Sequence, residues 1–145
     1  MFQQDRDIWE RLLVPLQAAK VLDLVDGDVA LTDRLELRLA PGHTPGHQTL
    51  RIASSGEQLL LTADVFNHPM QLANPARNGI ADVDHDNATE TRRGMLREWS
   101  PKPGSLIAPA HFVEAFGHVS SGPLGEATWN PRRNMLPEID QSLDL

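Results

Sequence analysis

The sequence contains neither cysteine nor tyrosine. Without cysteine there is no disulfide framework, thiolate metal site or cysteine nucleophile, so any metal must be held by imidazole and carboxylate. Without tyrosine no phenol can act as an acid or an oxyanion donor. Basic residues are in deficit, 13 against 20 acidic, for a formal net charge of -7. That balance argues against a nucleic-acid surface, which needs a basic footprint. The acidic residues are dispersed, which reads as solubility rather than an interaction tail. No stretch approaches the roughly 18 apolar residues of a membrane span. The opening MFQQDRDIWERLL lacks the regions of a signal peptide, so a cytoplasmic protein is the expectation. Histidine is missing from the first 42 residues.

What is present suits a folded domain: 145 residues, 40% hydrophobic and 23% charged, enough to bury a core. Ile8, Trp9, Leu12, Leu13 and Leu16 are spaced for one face of a helix over 4–14, which Pro15 should end or kink. VLDLV and VAL around Asp26-Gly27 read as a hairpin, and RLELRLA (34–40) alternates as a half-buried strand does. QTLRIA and EQLLLTA are two further strands about a Ser54-Ser55-Gly56 turn. A long polar loop follows Asp64. Asn87 with Glu90 resembles a capping box, and Ala88, Met95, Leu96 and Trp99 share the face of the helix behind it. SLIAPA is a short strand leading to His111. The expected architecture is mixed α/β (α+β) with a mainly antiparallel sheet. Residues 1–121 form the domain; 122–145, with weak periodicity, form a tail that is poorly ordered or docked on a partner.

His43, Asp64 and His111 each stand where a strand stops and a loop begins, where rigid scaffolds present functional groups. Two imidazoles and a carboxylate suit zinc, iron or manganese, ions able to activate water. From position alone, a histidine at a strand end is more often a hydrogen-bonded surface residue, and an aspartate there a turn or cap. The stretch PGHTPGH (41–47) cannot be helical, since its prolines and glycines are among the poorest helix formers. His43 and His47 therefore act from a shaped loop.

PGHTPGHQTL, then LLLTAD, then APAHF resemble, in that order, the C-terminal half of a metallo-β-lactamase-fold hydrolase, from about Val21 to His118. DVFNHPMQ, ADVDHD and ATETRRGML are similar to the subgroup of acyl-lactone lactonases and related esterases. The resemblance implies half of an αββα sandwich with flanking helices, and zinc-activated water attacking an ester or lactone carbonyl. It implies His43 as ligand to one metal, Asp64 as the catalytic carboxylate bridging two, and His111 as ligand to the second. His47, His68 and Arg92 would either support the site from behind the ligands, His47 by holding the loop, or be merely structural, Arg92 by pairing with a neighbouring acid.

Such enzymes carry H-x-H-x-D-H upstream, supplying four further ligands. None of this chain's six histidines, at 43, 47, 68, 85, 111 and 118, is separated from another by one residue. Asp84-His85-Asp86 is the one His–carboxylate cluster left over. The expectation is a hydrolase site incomplete in this chain, as in a truncated or split enzyme, with a complementing N-terminal half or a homodimer as partner. The alternatives are a non-catalytic, homo-oligomeric binding or assembly module, and a lone 2-His-1-carboxylate site. One half of the sandwich alone would expose an apolar sheet face larger than a soluble monomer tolerates.

Overall fold

A computed structural model describes residues 7–100, 102–122 and 126–132. Its centre is a seven-stranded sheet: β1 (Val29–Ala30), β2 (Leu35–Leu39), β3 (Gln48–Ser54), β4 (Glu57–Ala63), β5 (Ser105–Pro109), β6 (Gly117–Ser121) and β7 (Ala127–Pro131). The strands lie side by side in chain order. Every neighbouring pair is antiparallel except β4–β5. The exception follows from the chain's route: residues 64–104 cross over through two helices, α2 (Met70–Ala73) and α3 (His85–Trp99), before returning alongside β4. The expected mixed α/β class with a mainly antiparallel sheet is what the chain forms.

The β3–β4 hairpin closes on the expected turn. Ser55 and Gly56 both have positive φ, 51° and 83°, and Ser54 pairs with Glu57. Two positive φ values in a two-residue loop match the right-handed twist of the flanking strands.

Alternation along β3, β4 and β5 splits the sheet into two unlike faces. Thr49, Leu60, Thr62, Ser105, Ile107 and Pro109 are buried on one face. Beneath α3 the core gathers Leu60, Val65, Phe66, Leu72, Trp99 and Ile107. On the other face the register aligns Leu37, Leu50, Leu61 and Ala108 in one row, and Leu35, Ile52, Leu59 and Leu106 in the next. None of these eight is buried. All eight are half-buried, so among the described residues the apolar face expected of half a sandwich is covered less fully than the core face.

Several local expectations differ from the structure. The 21–31 hairpin does not form: residues 21–25 are not strand, and β1 pairs forward with β2. At the N-terminus a π-helical segment, Trp9–Leu13, passes into α1 (Val14–Ala18), so the chain stays helical through Pro15, whose missing N–H removes one bond to the preceding turn. No residue of either segment is buried, and Ile8 and Leu12 are 53% and 60% exposed. Residues 4–6 of the expected helix lie outside the described residues.

α3 begins three residues before the Asn87–Glu90 box. Its N-cap is Asp84, whose carboxylate accepts the Asn87 N–H at 3.0 Å. The expected face is right in phase, with Ala88 and Trp99 buried and Met95 and Leu96 packed on the core. Residues 127–131, in the stretch read as a tail, form β7 on the outer edge of β6. Trp129 there meets Phe112 edge-to-face at 5.0 Å, and the glycines and proline around ATWN obscure its Ala127–Trp129 alternation in the sequence. Residues 133–145 lie outside the described residues.

Candidate metal centre

Because β4 runs antiparallel to β3 and parallel to β5, the β2–β3 connection and the ends of β4 and β5 meet at one end of the sheet. His43, Asp64 and His111 stand there together. Asp64 is set off its strand by an irregularity: the β4–β5 register shifts between Leu61 and Ala63, and Ala63 has φ 44°. A left-handed non-glycine residue at a register shift turns the chain out of the ladder. The Ala110 N–H donates to the Ala63 carbonyl at 3.2 Å, which fixes the approach of His111.

The Asp64 carboxylate divides its oxygens. Oδ1 lies 2.7 Å from His111 Nε2, and Oδ2 lies 3.9 Å from His43 Nε2. His43 and His111 therefore face opposite oxygens of one carboxylate rather than a common point. His43 and Asp64 are partly covered, whereas the His111 side chain is 60% exposed, leaving that flank open.

His47 serves the backbone. Its Nε2 accepts the Asp64 N–H at 3.2 Å, so in the neutral ring Nδ1 carries the proton. Burial, reinforced by the neighbouring His43, holds the His47 imidazole below its ordinary range and favours that neutral acceptor. The rings of His43 and His47 meet edge-to-face at 5.8 Å.

Behind His43 stands Asp82, which sequence reasoning did not single out. Its Oδ1 is 3.3 Å from His43 Nδ1; its Oδ2 accepts the Gly79 N–H at 2.8 Å and Arg92 Nη2 at 2.5 Å. Burial works against this carboxylate's charge, yet Arg92, Gly79 and His43 outweigh it and hold the group below the usual carboxylate range. Arg92 is itself buried and also donates to the Val65 carbonyl, the Pro75 carbonyl and Asn78 Oδ1. The expected pairing of Arg92 with an acid is thus found. A signal for Asp82 existed: an arginine in the middle of an apolar helix face requires a buried acid.

The remaining histidines lie elsewhere. His68 Nδ1 accepts the Met70 N–H at the start of α2, and His118 Nδ1 donates to the Ser105 carbonyl. In the 84–86 cluster, Asp84 is occupied as the α3 cap, with both oxygens turned to Asn87.

The donor types at this end of the sheet fit a pair of borderline ions sharing Asp64, with one imidazole each. The number falls short, because a hydrolytic zinc takes about three protein ligands. Among the described residues no group of three His, Cys, Asp or Glu side chains closes on one ion. What the described residues show is two imidazoles facing the two oxygens of one carboxylate.

No family model matches this sequence, and no curated protein matches it. Solved structures do. AidC, a dizinc quorum-quenching lactonase in complex with its product N-hexanoyl-L-homoserine, superposes with a TM-score of 0.70 at 24% identity, over 88% of this chain and 45% of its own. AbOPH, a hydrolase of the β-lactamase superfamily, gives 0.69 at 26% identity over 83% and 41%. A variant of B. thuringiensis AiiA, with N-decanoyl-L-homoserine bound at its active site, gives 0.53 at 27% over 63% and 36%. The chain spans less than half the length of each. Over that span it has the fold of the metallo-β-lactamase superfamily, the fold of its solved hydrolase neighbours.

Proposed function

We propose that this chain supplies one side of a metal-dependent hydrolase site for a small ester or lactone, completed by a segment outside this sequence that carries H-x-H-x-D-H. One observation carries the reading: Asp64 turns one oxygen to His111 and the other to His43, an arrangement in which one carboxylate can be shared by two metals. The open flank of His111 is consistent with further donors arriving from that side. Zinc, iron or manganese in a completed site would supply activated water and polarise the scissile carbonyl. The chain's own residues hold the geometry: His47 anchors the Asp64 backbone, and Asp82 braces His43. Lactones are the favoured substrate class because AidC is a lactonase solved with its product N-hexanoyl-L-homoserine, and the AiiA variant is solved with N-decanoyl-L-homoserine at its active site.

A second reading, a homo-oligomeric assembly module without metal, draws on the half-buried apolar sheet face. Metal content separates the two. Zinc, iron and manganese per chain are measured for wild type and Asp64→Ala, alone and co-expressed with an H-x-H-x-D-H half. Near-stoichiometric metal in the co-expressed wild type, lost in Asp64→Ala, is the expected result, and lactone hydrolysis should follow it. Folded, associated protein without metal in either form overturns the hydrolase reading and leaves the module.

A further inference from the structure

We propose that Asp82, clamped by Arg92, is a positioning residue that fixes His43 as the tautomer whose bare Nε2 faces Asp64. The inference rests on the proposed metal site for its purpose, but its geometry stands without it. A carboxylate only accepts hydrogen bonds. With Oδ1 of Asp82 at 3.3 Å from His43 Nδ1, the proton of a neutral His43 ring belongs on Nδ1, and Nε2 is left as a lone pair. That is the arrangement in which a histidine ligates a metal through one nitrogen while a carboxylate orients it through the other.

Asp64 pulls the opposite way, since a carboxylate near Nε2 would favour a proton there. At 3.9 Å it makes no hydrogen bond with that nitrogen. Asp82 is the nearer acceptor, and its side chain is fully buried, whereas Asp64 is partly solvated.

Asp82 cannot swivel to yield. Its other oxygen is held by two donors, the Gly79 N–H and Arg92 Nη2. Arg92 is fixed in turn by the Val65 and Pro75 carbonyls and by Asn78 Oδ1. The Arg92 clamp therefore reaches His43 through one carboxylate, and each bond along the way has a single sensible direction.

This makes an isosteric substitution informative. In Asp82→Asn the two donors at the Oδ2 position demand the amide oxygen there. The amide NH2 is then turned toward His43 Nδ1, which must become the acceptor. The His43 proton moves to Nε2, and the lone pair aimed at Asp64 disappears.

The experiment is long-range ¹H–¹⁵N NMR of the histidine rings in chelator-treated, ¹⁵N-labelled protein at pH 9, where an ordinary imidazole is neutral. Wild type should show a pyrrole-type Nδ1 and a pyridine-type Nε2 at His43, and Asp82→Asn should exchange the two. An Nε2–H tautomer in wild type overturns the proposal, and needs no variant to fold. An unchanged His43 pattern in folded Asp82→Asn overturns it as well. Metal binding by the co-expressed form is read separately. Asp82→Asn should weaken it by about 10–100-fold, the usual cost of losing an outer partner of a ligating histidine. If the tautomer exchanges but wild type takes up no metal, the positioning stands and the hydrolase reading fails. Metal uptake with an unchanged tautomer sinks the positioning alone.

Discussion

Gly42 and Ala88 are in backbone contact: a Cβ built on Gly42 would overlap the amide nitrogen and Cα of Ala88 and come within 2.7 Å of its Cβ. Gly42 also has φ 137°, a conformation L side chains rarely adopt. The histidine loop is thereby seated on the first turn of α3, with the Gly42 carbonyl accepting the Asp84 N–H and the His43 carbonyl accepting the Val83 N–H. Gly42, the first of the two glycines in PGHTPGH, is needed for the helix to approach, whereas Gly46 has open space around it.

Gly42→Ala should therefore destabilise the fold by about 2–5 kcal/mol, combining backbone strain with overpacking. Urea denaturation measures it. Adding Ala88→Gly should not restore stability, because the overlap is with backbone that every residue at 88 retains. Restoration by Ala88→Gly would mean that side-chain crowding alone keeps the two apart.

Arg92→Met should cost about 3–5 kcal/mol, since it leaves the Asp82 carboxylate buried without its cation. The substitution also strips the Val65 and Pro75 carbonyls of a donor. Pairing it with Asp82→Asn should cost less than the sum of the single changes, by about 0.5–3 kcal/mol of coupling. Additive losses in a double-mutant cycle would show that the two groups do not act as a unit.

Asp84 gives a pH-dependent prediction. Its carboxyl is held below the ordinary 3.8, chiefly by the backbone N–H of Asn87. A carboxyl with a lowered folded-state value adds stability above the unfolded value and loses it as pH falls through the folded one. Asp84→Ala should thus lower Tm at pH 7, and the gap to wild type should shrink below about pH 3.8 as the wild-type cap is protonated. Asp84→Asn, an equally good cap, should keep its Tm near wild type at pH 7. Thermal melts across pH 2–7 decide it.

The sequence made the chemistry-bearing positions legible where strand ends, glycines and spacing agree. RLELRLA, QTLRIA, EQLLLTA and SLIAPA become β2 to β5, and the loops after them hold His43, Asp64 and His111. It was less legible where two local signals compete. Asp26-Gly27 suggests a hairpin, yet Val29 and Ala30 find partners in Leu37 and Glu36, whose alternation is the stronger strand signal. Asn87 with Glu90 has the spacing of a cap, but Asp84 takes the position because the Gly42 and His43 carbonyls hold residues 83 and 84 extended just ahead of the helix. Arg92 signals that some acid is buried with it, but nothing local marks out Asp82 among Asp82, Asp84 and Asp86. Only the fold puts it between His43 and Arg92.

The half-buried apolar sheet face sets the last prediction. Leu50 and Leu61 sit opposite each other at its centre, flanked by Leu37, Ala108, Ile52 and Leu59, and none of the six is buried. Covering a leucine fully contributes about 1.5–3 kcal/mol, so a face of this extent favours association with a second copy or a completing half. Sedimentation velocity of the purified chain should show self-association, and Leu50→Lys with Leu61→Lys should shift it toward monomer. Because the core lies on the opposite face, each single substitution should change the urea midpoint of the dissociated chain only slightly. Co-expression with the completing half should compete with self-association, since both need the same leucines. A wild-type chain that stays monomeric at every concentration, with Leu61→Lys unfolding it, would mean that these leucines are packed within the single chain, leaving no face for either partner.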